Sequence, residues 1–183
     1  VASKPTTSKV EQMLIQAVVK DGEKVIFRDV KDENSGQTYN LTVAQYIAYD
    51  LGSDNLGFSN ELYTKILQEA VEHCGEEGFK AEEYFTQHAD INIASVAVRL
   101  SVDRFQLAES LQVKETEQTL RDRVIHLVAD FRLEYVSSHL KELNERLLQV
   151  KDSQEMQEIM SEIMRTQNLR NELAKKTGSN ILV

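Results

Sequence analysis

The sequence predicts a mainly α fold: a helical bundle, with room for one small β-hairpin, joined by a long helix to a C-terminal antiparallel helical hairpin. Three observations lead there. From Phe79 to Lys176 the chain holds neither glycine nor proline; Gly78 precedes that run, Gly178 closes it, and the one proline is Pro5. Near the end of the run, an apolar stripe with helical spacing changes face. A second apolar stripe with its own start signals follows at once.

The elements can be justified in order. Lys9 to Lys20 places Val10, Met13, Leu14, Ala17 and Val18 at helical spacing, and Asp21-Gly22 ends the helix. Lys24 to Val30 is rich in β-formers, Asn34-Ser35-Gly36 gives a turn, and Thr38 to Leu41 can return as the partner strand. Thr42 is placed to cap a helix running to Leu51, with Val43, Tyr46, Ile47 and Leu51 inward. Ser59 to His73 reads as a helix with Leu62, Ile66, Leu67 and Ala70 on one side, broken by Gly75 to Gly78. Ala81 to His88, Ile91 to Leu100 and a turn or two over Arg104 to Leu111 complete the bundle. No repeat recurs along the chain, which excludes a solenoid.

The long helix is the link. At about 100° per residue, Leu120, Val124, Leu127, Phe131 and Tyr135 share one broad face. Ala129, Leu133, Val136, Leu140, Leu143 and Leu147 also keep helical spacing, but sit roughly opposite. One helix over 117–149, about 50 Å long, satisfies both sets if its halves pack on different bodies. Lys151-Asp152-Ser153 then offers a turn and an N-cap, and Gln154, Glu155 and Glu158 suit a first turn. Met156, Ile159, Met160, Ile163 and Met164 form a stripe that can close on Leu133 to Leu147. Core packing is the expected role of the three methionines, and Gly178 the expected C-cap. The expected organisation is a linker over 1–8, a bundle over 9–130 and a hairpin over 131–183, sharing the helix 117–149.

Leu169 and Leu173 fall off that stripe by roughly 100 to 150°, with Arg170 and Lys176 as neighbouring charges. Two readings stay open. They can pack against Val136, Leu140 or the Ile181-Leu182-Val183 tail, or they can form an exposed ridge that docks into another protein.

The net charge is −9, from 21 basic and 30 acidic side chains. It is uneven: residues 1 to 116 hold 11 basic and 19 acidic groups, net −8, and residues 117 to 183 hold 10 and 11, net −1. An acidic body is a poor surface for phosphates, so no direct contact with nucleic acid is expected. Cys74 is the single cysteine, which excludes an intrachain disulfide and suits a cytoplasmic setting. No apolar run reaches the roughly 18 residues of a membrane span, so no membrane contact is expected. Val1 to Ser8 lacks an initiator methionine and reads as a polar linker from a longer chain.

Nothing in the pattern asks for catalysis. His73, Cys74 and His88 have no metal-ligand spacing, and no Glu-x-x-His pair for a two-metal bundle occurs. Asp122, His126 and Asp130 form a solvated helical ladder, and Glu76-Glu77 and Glu82-Glu83 suit a turn and a helix start. There is no phosphate loop, nucleophile elbow or cysteine with a base. No enzyme activity, metal or cofactor is expected.

Several stretches resemble a known family. Gly78-Phe79, then Tyr84-Phe85-Thr86-Gln87-His88-Ala89-Asp90, then Asp103 to Leu107 look like the C-terminal region of bacterial DnaG primase. Leu169 to Gly178 followed by Ile181-Leu182 is similar to that family's terminus, and Val43 to Ile47 fits its first subdomain. Ile26 to Leu41 is an insertion against that pattern. The resemblance implies a helicase-binding domain: a helical subdomain and a two-helix hairpin that grips the N-terminal domains of the replicative helicase DnaB. It also implies that the single-stranded-DNA-binding protein can be a partner, and that zinc-binding and polymerising domains lie upstream. The candidate partner-binding residues are Gln167, Leu169, Arg170, Leu173, Lys176 and Ile181.

Overall fold

A computed structural model describes the backbone of residues 8–108 and 115–179, with side chains for 8–102 and 115–175. The fold is mainly α, with seven helices and one two-stranded antiparallel sheet among the described residues. Contacts divide the chain into two compact units, Val1–Val128 and Ala129–Val183.

In the first unit, α1 (Lys9–Asp21) is the hub, packing on α2 (Val43–Ser53), α3 (Glu61–His73), α4 (Ala81–Thr86) and α5 (Ile91–Ala108). Leu14, Ile15, Ala17, Val18 and Val19 are fully buried, whereas Met13, at the same helical spacing, is exposed at 42%. Ser8 belongs to this helix rather than to a linker. Its Oγ accepts from the Val10 and Glu11 N–H groups at 3.1 and 3.3 Å, satisfying donors that a helix start leaves free. The remaining linker residues, 1–7, lie outside the described residues.

The sheet pairs β1 (Val25–Lys31) with β2 (Thr38–Thr42). Its turn is held by Asp32: the carboxylate accepts from the Asn34 N–H at 2.9 Å and the Ser35 hydroxyl at 2.8 Å. Gly36 takes a positive φ of 67°, a region open to glycine at low cost. The register shifts between Phe27 and Val30, where Asp29 has φ 53° and donates its N–H to Asn40 Oδ1 at 3.1 Å. That irregularity is a bulge, a device that twists a short ribbon. Thr42 then closes a capping box with Gln45 at the start of α2.

Two buried acids tie the bundle. Glu11, 3% exposed, accepts from the Ser59 N–H and, at 2.6 Å, from the Ser59 hydroxyl, fixing the loop between α2 and α3. Asp21, 2% exposed, pairs with Lys24 at 2.6 Å and Arg123 at 3.1 Å. Arg123 lies on α6 (Glu117–Gln149), so this pair anchors the start of the long helix to the end of α1. Arg28 makes a forked contact with Glu117 beside it, at 2.8 to 3.2 Å, and holds that carboxyl below its ordinary range.

The run of aromatic residues near α4 has a structural use. Tyr84 donates to Glu69 at 3.1 Å, His88 contacts the same carboxylate at 2.8 Å, and the His73, Phe79 and Tyr84 rings cluster within 5.8 Å. These contacts fasten α4 to α3. Beyond them α5 runs unbroken to Ala108, where the sequence suggested two shorter helices. The part of that second piece past Ala108 includes residues 109–111, outside the described residues.

Candidate partner-binding surface on the helical hairpin

The second unit contains the latter part of α6 and α7 (Ser153–Ser179). Along α6 the buried stripe does change face. Leu120, Val124, Leu127, Val128 and Phe131 are buried on one side; Val136, Leu140 and Leu143 are buried roughly 150° away. Tyr135, expected with the first set, is 44% exposed. Val136, Leu140, Leu143, Leu147 and Val150 follow the alternating four-and-three spacing of a coiled-coil seam. On α7 the matching seam runs through Met156, Ile159, Ile163, Thr166, Arg170 and Leu173.

The core that results is thin. Leu140, Leu143, Ile159 and Ile163 are buried together, with Leu147 and Val150 partly buried against them. One side of the hairpin is laced by ion pairs, His139 to Glu162 at 3.1 Å and Arg146 to Glu155 at 3.8 Å. Both pairs join positions just before a seam residue, as an antiparallel pair requires. Asp152 caps α7, its carboxylate accepting from the Glu155 N–H at 3.0 Å. Ser153, expected near the cap, is the first helical residue, and α7 continues through Gly178 instead of stopping before it.

The methionines are a correction. Met160 and Met164 are 51 and 65% exposed, so they do not build the core, and Met156, at the first seam position of α7, is still 37% exposed. The reason is the width of the seam. Two helices bury only one line of side chains between them, and Met160 and Met164 lie past that line. With Leu148, 88% exposed on α6, Met160 and Met164 give the hairpin an apolar flank, where the two methionines were expected inside. Met160 and Met164 each directly follow Ile159 or Ile163, about 100° further round the helix, and that offset was the available signal.

The predicted partner-binding residues divide. Leu169 is 48% exposed, Gln167 and Arg170 are exposed, and Leu173 is half-buried on the seam. By helical position Leu169 and Leu173 share a face within about 40°, and Arg170 borders it. Gln167 lies about 160° from Leu169, on the methionine side. The Lys176 side chain and all of Ile181 lie outside the described residues. The hairpin therefore carries two apolar flanks, one with Leu169 beside the ion pairs and one with the methionines.

Residues 1–181 match the family model of a domain of unknown function, DUF8430. The chain belongs to this family. No curated protein and no solved structure matches it. In this DUF8430 chain no group of three or more His, Cys, Asp or Glu side chains among the described residues is arranged to hold a metal ion. No described helix is long and apolar enough to cross a membrane.

Proposed function

We propose that this chain is a non-catalytic docking domain that binds the N-terminal domains of the replicative helicase DnaB, recruits primase to the replication fork and modulates the helicase. A cytoplasmic setting belongs to this reading, as does the single-stranded-DNA-binding protein as a further partner. The reading joins two supports. One is the resemblance of Tyr84 to Asp90 and of Leu169 to Gly178 to the primase C-terminal region. The other, which carries it, is a hairpin with a core of four buried side chains and large apolar residues left outside. Apolar side chains left outside such a core are where a protein-binding surface is to be sought.

Leu169 is the residue to test, because it is exposed and its removal leaves the seam intact. The wild-type chain should co-elute with the helicase N-terminal domains on size exclusion. Leu169→Asp should weaken that complex by about tenfold or more, as for a contact near an interface centre, with unchanged circular dichroism. Wild-type chain that elutes apart from the helicase domain defeats the reading and leaves a helical adaptor of another pathway.

A further inference from the structure

We infer that the groove between α2 and α3 is a second docking site, for a basic-apolar peptide segment of a partner protein: a bulky apolar side chain seated in the groove and an Arg or Lys beside it. This inference does not rest on the helicase reading. The groove encloses about 500 Å³, within the range of ligand-sized clefts, and is open along one side. Its apolar wall comes from Leu51 of α2, Leu56 and Phe58 of the connecting loop, and Leu67 and Val71 of α3. Leu51 is buried, whereas the other four are half-buried. An open-sided cleft suits a side chain presented on a peptide better than a small molecule that needs enclosure.

The loop wall is already built. Glu11 holds Ser59 from below, the Leu56 N–H donates to the Leu51 carbonyl at 2.9 Å, and Asn60 caps α3 through the Leu62 N–H at 3.0 Å. Phe58 stands edge-on to Tyr63, with ring centroids 6.3 Å apart. A preformed wall lowers the ordering cost of binding.

Charge selects the occupant. Glu72 is the one charged residue lining the groove. The last turn of α2, whose carbonyl end carries partial negative charge, has no basic residue of its own. Residues 1 to 116 add a net −8. These charges favour a basic segment over an acidic one, and salt weakens that preference.

The test uses the intact chain and a short fluorescein-labelled peptide with one phenylalanine between two arginines. Binding is read by anisotropy and by methyl NMR of Leu56, Leu67 and Val71. These methyls should shift, and added salt should weaken binding. Glu72→Lys should weaken it about fivefold, the scale of reversing one exposed charge contact. Peptides with glutamates for the arginines, or alanine for the phenylalanine, should leave the methyls unmoved. Unmoved methyls with the arginine peptide at millimolar concentration, or equal binding of the acidic peptide, overturn the proposal. The helicase co-elution is a separate measurement, so either idea can fail alone.

Discussion

The two units divide their apolar residues differently between core and surface. In Val1–Val128 the helices α2 to α5 close around α1, and side chains as large as Tyr63 and Phe85 are almost completely buried. In Ala129–Val183 two long helical segments bury a cluster of four, while Leu148, Met160, Met164 and Leu169 stay 48 to 88% exposed. The difference follows from geometry. A helix surrounded by others can bury several faces, but one of a pair can bury only the seam. Large apolar residues beyond the seam then have nothing within their own pair to cover them. Thr166 and Arg170 occupy seam positions toward the end of α7, so the seam itself becomes polar there. The first unit closes a large core around α1, though Tyr49 and Ile91 stay 68 and 79% exposed on it; the second has a thin core and an apolar surplus suited to a partner.

The largest test of this contrast removes one core side chain from each unit. Phe85→Ala leaves a large cavity among α1, α4 and α5 and should cost about 3–5 kcal/mol. Leu143→Ala, at the centre of the hairpin seam, should cost about 2–3 kcal/mol, because water and neighbouring side chains can relax into an open pair. Urea denaturation measures both, and amide exchange locates the loosened unit. A hairpin substitution costlier than the Phe85 one would break the comparison.

A smaller effect sharpens it. Replacing Met160 and Met164 together by Gln keeps helix propensity and should change folding free energy by no more than about 0.5 kcal/mol, as for exposed positions. A loss of about 2 kcal/mol or more in the same denaturation experiment would assign these methionines to a core after all.

The contrast was partly legible in the sequence. Turn chemistry at Asn34-Ser35-Gly36, the Thr42 cap and the face change along 117–149 all depend on near neighbours, and each has its counterpart in the structure. The face change is easily missed by any average over α6, since two opposed stripes cancel. What escaped depends on the number of neighbours a helix has. Met160 and Met164 read as core because a wheel gives direction but not the width that a partner covers. Nothing in the local sequence marks Glu11 and Asp21 for burial, yet both are buried by partners far along the chain, Ser59 and Arg123. The groove beside Glu72 likewise exists only once α2 and α3 pack. Of the candidate site, Leu169 was legible as a residue off the stripe, whereas Gln167 proved to lie on the other flank.

The smallest expected effect concerns how the first unit responds to acid. Asp90 precedes α5, and its Oδ1 accepts from the Asn92 N–H at 2.9 Å. Hydrogen bonding from the backbone of Asn92, and then of Ile93, holds its carboxyl below the ordinary value of 3.8. A folded-state value below the unfolded one means that the ionised cap stabilises the folded chain above the ordinary carboxylate range. That contribution fades as pH falls through the lowered value. Asp90→Asn keeps an oxygen for the Asn92 N–H but removes the charge and its titration. Near neutral pH the wild type should therefore be slightly the more stable of the two, read as the urea midpoint and as amide protection in the first turns of α5. Below the lowered value the two should converge. A gap that widens on acidification would mean that Asp90 does not cap α5 as a carboxylate, and that the acid response of the first unit originates elsewhere.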